Sequence, residues 1–390
     1  MKKGWQRKKI GDLCTVIAGQ SPEGKFYNSD GKGMPFYQGK KDFGEKFIGP
    51  PTTWTTEVTK IAQEGDILMS VRAPVGPINF ADGEVCIGRG LAAIRSGTEI
   101  TPEFLFYQLL HLRPELAGKD GAVFPSINKS DIETVDIAFT LLSEQQRIVG
   151  ILDEAFDGLA RATANAEQNL RNARALFESH LQSVFTQRWE GWVEKHLEDV
   201  VHASCPLSYG IVQPGNDYPN GLPVVRPTDL AAKVITLDGL KRIDPKVARS
   251  YERTSLRGGE LLLCVRGSTG VVSVAAPELI RANVTRGIVP IVFEPSYVRQ
   301  DFGYFLMAAE TVQGQIRSKT YGAALMQINI GDLRKIVVSF PVLKEQEEIA
   351  NRLDALAAET QRLEFIYQQK LAALGELKKS LLHEAFTGQL

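Results

Sequence analysis

Arginine, lysine, glutamine and threonine residues stand at matched points along this chain, and their spacing suits one kind of chemistry. Arg72 closes the apolar run EGDILMSVR and enters the loop RAPVG; Arg266 closes GGELLLCVR and enters RGSTG. Arg89 and Arg286 sit in two similar turns, GRG at 88–90 and TRG at 285–287. Gln38, Lys40 and Lys41 lie in YQGKKDF, opposite Arg226 and Thr228 in VVRPTDL. Lys129 follows SIN, and Lys319, Thr320 and Tyr321 precede GAALMQIN, so both groups flank one recurring junction. Arg or Lys reads guanine O6 and N7 in a major groove, and Gln or Asn reads adenine N6 and N7. Other cations neutralise phosphates and fix register. A solvated charge is the ordinary use of any one such residue; the recurrence of the set favours contact with DNA. Trp5 and Trp192, one near each start of the repeating plan, are expected to pack rather than to stack on bases.

Signatures of catalysis are missing from the sequence. It has no GxxxxGK[ST] phosphate loop and no GxGxxG between strand and helix. GPPTTW at 49–54 places Gly49 where an adenine methyltransferase motif would need an amide or carboxylate. Four cysteines form no CxxC pair, and five histidines show no ligand spacing, so neither a metal site nor a disulfide framework is expected. The chain is expected to perform no reaction of its own. The start, MKKGWQRKK, is polar rather than a secretory leader, and no apolar run reaches spanning length, which leads to the expectation of a cytoplasmic protein.

The formal net charge is only −1, which argues against a simple basic footprint on nucleic acid. Locally the balance differs. Residues 191–343 hold 17 Lys and Arg against 14 Asp and Glu, whereas 143–190 hold 5 against 7 and 344–390 hold 6 against 8. Any basic surface must therefore come from patterning within the globular stretches.

The elements that would position these side chains occur twice. From Gly121 to Thr186 each position can be laid on the one 201 further on without a gap: Ile127-Asn128 on Ile328-Asn329, Asp131 on Asp332, Glu144-Gln145 on Glu345-Gln346, Asp153 on Asp354. Earlier segments match at smaller offsets, as loops of unequal length require. Residues 1–142 read as a mixed α/β unit, with β runs at 66–71, 84–94 and 135–139 and a helix at about 102–112. Residues 191–343 repeat the plan, with β runs at 260–265, 287–293 and 335–340 and a helix near 300–312. Residues 20–60, rich in Gly, Pro and Lys, read as loop.

A long helix is expected after each unit. The first, within 143–190, opens on a Ser143/Gln146 capping box and carries an apolar or small stripe at 152, 156, 159, 163, 166, 170, 173, 177, 181 and 184, with Gly191 as its stop. The second, within 344–390, follows Pro341, carries its stripe through 353, 356, 360, 363, 367, 371, 374 and 381, and stops at Gly388. At about 45 residues each is roughly 65 Å long. Polar on most faces, such helices are expected to bury their stripes against each other, antiparallel. Their polar, Ala-rich outer faces at 153–175 and 354–376 are candidate docking seats.

These features together resemble the specificity subunit of type I restriction-modification systems over essentially the whole chain. The matching residues are Trp5 with KIGDL at 9–13, the GDIL…R…G segment, FPSIN…LLSEQQRIV, its second copy QIN…FPVLKEQEEIA, and the closing SLLHEAFTGQL. The second copy lacks the Pro-Ser of FPSIN. The resemblance implies two globular α/β target recognition domains, 1–142 and 191–343, joined by two long antiparallel coiled-coil helices in a pseudo-two-fold repeat. It further implies one half of an asymmetric, bipartite double-stranded DNA target per domain, and helices that fix the spacer. The implied partners are two modification subunits, which bind S-adenosylmethionine and methylate adenine N6, and restriction subunits, which use ATP and Mg. A protein-assembly scaffold with two binding modules on a coiled-coil spacer is the alternative that the near-neutral charge keeps open.

Overall fold

The computed structural model describes residues 4–117, 126–187, 191–322 and 325–390. Parts of the recurring junction, Gly121 to Pro125 and Ala323-Ala324, lie outside them. Two compact units are formed, one from Met1–Glu167 with Gln368–Leu390 and the other from Gln168–Tyr367. The division falls within both long helices, so each unit contains one half of each.

The first unit is built on a four-stranded antiparallel sheet in the order Cys14–Ala18, Leu91–Ser96, Ile67–Ser70, Ile78–Phe80. Ile67, Leu68, Met69 and Ile94 on its central strands are wholly buried, as near-continuous apolar runs require. A second sheet, of five short strands, runs Tyr27–Asn28, Trp54–Thr55, Met34–Tyr37, Val85–Ile87, Ile61–Ala62, with the Met34–Tyr37 and Val85–Ile87 strands parallel. Segment 20–60 is therefore not the loop its composition suggests. Its strands are two to four residues long, too short to display a period of two. The single run expected at 84–94 is two strands, broken by the turn Gly88-Arg89-Gly90.

The second unit repeats the plan. Its four-stranded sheet runs Val234–Ile235, Val272–Ala275, Leu261–Cys264, Ile288–Ile291. A three-stranded sheet pairs Leu222–Val225 parallel with Asn283–Val284, the counterpart of the parallel pair in the first unit. The helix expected near 300–312 is two, Gln300–Ala308 and Glu310–Lys319, because Ala309 takes extended angles between them.

The long helices span Leu142–Thr186 and Leu343–Thr387, 45 residues each. Every stripe position named above is buried or half-buried. In the first unit, Leu152 and Phe156 share a core with Leu381, Leu382 and Phe386; Arg147 donates to the Leu390 carbonyl, and the Lys378 ammonium lies 4.8 Å from the Phe156 ring centre. In the second, Leu181 and Phe185 share a core with Ile349 and Leu353, and Arg174 pairs with Glu364 at 3.0 Å. Within each unit the helix segments thus run antiparallel.

Helix ends need correction in one respect. The Leu141 carbonyl accepts the first helical bonds, from the amides of Glu144 and Gln145, which makes Leu141 the cap and puts Ser143 inside the first turn. The Ser143/Gln146 box does not form at that position. Gly388 does follow the second helix directly, with φ +78°, the left-handed conformation that glycine adopts without a Cβ penalty. Trp5 packs on Phe104, and Trp192 on Phe185 and Phe302, as expected of packing residues.

Candidate nucleic-acid interface

The sequence-matched cations converge in each unit, and backbone hydrogen bonds show how. In the first, Val71 donates to the Gly90 carbonyl (3.0 Å), Ile127 donates to Val71 (3.1 Å), and Gly88 donates to Tyr37 (2.8 Å). The strand end carrying Arg72, the Arg89 turn, the loop of Gln38 and the junction before Lys129 are thereby tied side by side. In the second unit Val265 donates to Gly287 (2.8 Å), Ile328 to Val265 (3.0 Å) and Thr285 to Val225 (2.9 Å), the same three bonds at equivalent residues. Bridges from Arg72 to Ser126 and from Arg266 to Gln327 complete the parallel.

Two glycines make the approach possible. A Cβ on Gly90 would run into the carbonyl oxygen of Gln38, and one on Gly287 into the ring of Pro227. Only glycine allows the Arg89 and Arg286 turns to sit this close to the neighbouring loops. The junction is fixed by caps: Asn128 accepts from the amide of Asp131 (3.0 Å) and Asn329 from Asp332 (2.8 Å), each opening a short helix.

Arg72, Arg89 and Lys129 line one hollow of about 300 Å³ in the first unit, together with Ser126 and Asn128. Arg72 and Arg89 are exposed, and no guanidinium hydrogen bond or ion pair ties either to another described residue; Lys129 pairs only with Glu133, at 3.4 Å and in solvent, which is worth little. Gln38, Lys40 and Lys41 are exposed, the lysines in a 3-10 turn.

In the second unit Arg286 is exposed, and Arg266 is half-buried with its Nε buried and unpartnered among the described residues. Arg226 is engaged differently. Its Nε (3.1 Å) and Nη2 (2.7 Å) donate to the two carboxylate oxygens of Asp229, a hydrogen-bonded pairing that raises its pKa above the usual arginine value. Thr228 is exposed beside it. Lys319 ends its helix and is half-buried; the Thr320 hydroxyl donates to the Ile316 carbonyl (2.6 Å); Tyr321, about half exposed, bridges Gln327 through the backbone.

Sequence reasoning gave no role to the groups that fasten each unit to its helices. Gln145 and Gln346, equivalent and 0% exposed, each use the whole carboxamide. Gln145 accepts from Thr101 N (2.9 Å) and donates to the carbonyls of Glu99 (2.9 Å) and Thr140 (2.7 Å). Gln346 accepts from Arg299 N (2.8 Å) and donates to those of Tyr297 and Pro341 (2.8 Å each). A second fitting also recurs: Lys46 pairs with Asp153 (2.8 Å) beside Tyr107, whose hydroxyl donates to the same carboxylate, and Lys233 pairs with Asp354 (2.5 Å) beside Tyr304. The repeat at 201 residues contained the signal for both glutamines and both aspartates; their lysine and tyrosine partners lie at other offsets.

Among the described residues no group of three His, Cys, Asp or Glu is arranged to hold a metal, and no helix is long and apolar enough to cross a membrane. What the geometry defines is a pair of alike α/β modules, each offering a cluster of polar and cationic loop residues and each fastened to helix segments. The chain belongs to the family described as the type I restriction modification DNA specificity domain, which matches it twice, over residues 2–170 and 189–371. A putative type I restriction enzyme MjaX specificity subunit of Methanocaldococcus jannaschii is 38% identical over 174 residues, 44% of this chain and 40% of that protein. The type I restriction enzyme EcoBI specificity subunit of Escherichia coli is 27% identical over 201 residues, 52% of this chain and 42% of that protein. The matched regions thus span about two fifths of these relatives. Among solved structures, a chain of a type I R-M system studied for complex assembly and conformational transition shares the fold at TM-score 0.82 and 20% identity, covering 100% of this chain and 99% of that one. The HsdS subunit of Thermoanaerobacter tengcongensis does so at TM-score 0.63 and 20% identity, covering 100% and 98%.

Proposed function

We propose that this chain is the non-catalytic DNA-recognition subunit of a type I restriction-modification complex. Residues 1–142 and 191–343 act as its two target recognition domains and each reads one half of an asymmetric target. The observation that carries this reading is the recurrence, by equivalent backbone bonds, of one loop cluster in both units: Gln38, Arg72 and Arg89 in one, Arg226, Arg266 and Arg286 in the other. Lys40, Lys41, Lys129, Lys319, Thr320, Tyr321 and Thr228 supply further phosphate or base contacts around them. The helices of 45 residues set the spacing of the half-sites.

Modification subunits dock on the helix-bearing side of each unit. Supporting this are exposed apolar residues that recur 201 positions apart: Leu141 and Val342, Leu142 and Leu343, Leu176 and Leu377. Scattered exposed apolar residues are ordinary, but repetition at equivalent positions fits a partner bound twice. S-adenosylmethionine is held by those partners, and ATP with Mg by restriction subunits, rather than by this chain.

A salt titration tests the proposal. Binding of the full chain to its selected duplex weakens with salt at a slope of about −0.9 per neutralised phosphate in log–log form. Binding that ignores salt and sequence would instead support the scaffold reading.

A further inference from the structure

The two units are not identical at one reading position, and the difference has a definite chemistry. Tyr37 pairs with Ile87 in the first unit and Val225 with Val284 in the second, both parallel, and the next backbone bond is the same in each, Gly88 to Tyr37 and Thr285 to Val225. Residue 38 and residue 226 therefore occupy the same place, against the Arg89 turn in one unit and the Arg286 turn in the other. One is glutamine, the other arginine. Resting on the DNA-recognition reading above, we propose that this is a specificity-determining position, at which Arg226 selects guanine in one half-site and Gln38 selects adenine in the other.

Asp229 holds the Arg226 guanidinium in an orientation suited to reading a base. The carboxylate takes the Nε and one Nη2 proton side-on. Of the five guanidinium donors, those on Nη1 and the outer face of Nη2 stay available, as an end-on fork matching guanine O6 and N7. The Arg226–Asp229 pair is also neutral overall. Its attraction to a phosphate is therefore weak, while the directional fork is held in place. Asp229 is itself fixed by the Arg226 amide (2.8 Å), and its side chain is only 11% exposed. In the first unit Gln38 is exposed and makes no side-chain hydrogen bond to a described residue, so its carboxamide is free to pair with adenine N6 and N7.

The test is selection of the full chain on randomised duplexes, followed by competition binding of the selected site and its single-base variants. Gln38→Arg changes an exposed side chain and leaves the fold intact. It is expected to switch one base pair of one half-site from A·T to G·C, by roughly 5- to 100-fold in relative affinity. Arg226→Gln should make the reverse switch in the other half-site only. Arg226→Lys keeps the charge but loses the fork, so affinity for the guanine-bearing site falls while affinity for its variants at that position changes little. Asp229→Asn keeps guanine preferred but narrows the preference, and it steepens the salt dependence because Arg226 is no longer neutralised. A Gln38→Arg protein that selects the unchanged site, or Arg226 variants that lose affinity equally for all sequences, overturns the assignment. Failure of the unaltered chain to select any duplex would defeat the DNA-recognition reading itself, a separate outcome.

Discussion

Gln346→Ala removes one side chain and strands three backbone groups: the Arg299 amide and the carbonyls of Tyr297 and Pro341. A buried group left without its partner costs about 1–3 kcal/mol. Tyr297 and Arg299 lie near enough to solvent for water to recover part of this, so the net loss should be about 2–4 kcal/mol. Local amide hydrogen exchange reads it most directly. The Arg299 amide should exchange roughly 30- to 700-fold faster, while Thr101, bonded to the equivalent Gln145, stays unchanged and serves as the internal control. Trp192, packed on Phe185 and Phe302 in the same unit, should report a lower urea midpoint by fluorescence. Gln346→Glu adds a pH signature. A carboxylate there faces two carbonyls with nothing to donate, so its folded pKa is raised. Its native state is therefore least disfavoured below the unfolded pKa of about 4.3, and stability falls as pH rises through the raised value. Unaltered Arg299 exchange in Gln346→Ala would refute the claim that this carboxamide fastens the helix.

Arg72→Ala and Arg266→Ala should each weaken binding to the selected duplex, or relax one position of it, by about 1–3 kcal/mol in competition assays; unchanged affinity and preference would remove them from the interface. Gly90→Ala should disturb the Arg89 turn, because the added methyl meets the backbone carbonyl of Gln38, and it should reduce DNA affinity more than Gly83→Ala, where a Cβ meets nothing within 4 Å. Equal effects would remove the close approach as the cause. Burial pushes the Cys205 thiol up to about 11 from 9.0. At pH 8 its thiolate fraction is then about a hundredfold below that of the unfolded chain, so iodoacetamide should modify it at least that much more slowly in the native protein. Comparable rates would show that the thiol is more accessible than its packing indicates.

The duplicated plan was readable because its signals are long. A stripe sustained through ten positions of the first helix, and an ungapped match from Gly121 to Thr186, survive any local irregularity. The sheet holding Tyr27–Asn28, Met34–Tyr37 and Trp54–Thr55 was not readable, since its strands are stabilised by neighbours distant in sequence rather than by their own pattern. The capping error has a similar origin. Ser143 has the preferred chemistry, but the Leu141 carbonyl already receives the first helical amides, and Gln145 fixes that register from inside the core. Of the candidate interface, the residue types and their pairing between halves were legible. The Asp229 brace on Arg226 was not, although a carboxylate three residues after an arginine marks a possible pair.

The matched fittings at Gln145 and Gln346, and at Asp153 and Asp354, have a consequence for descent. They engage backbone groups and recurring Lys and Tyr partners, and none of them draws on the loops at 38, 72, 89, 226, 266 or 286. Those loops can thus drift, recombine or be exchanged wholesale between lineages without loosening the chassis that carries them. Divergence of the readers is, on this architecture, nearly free of folding cost.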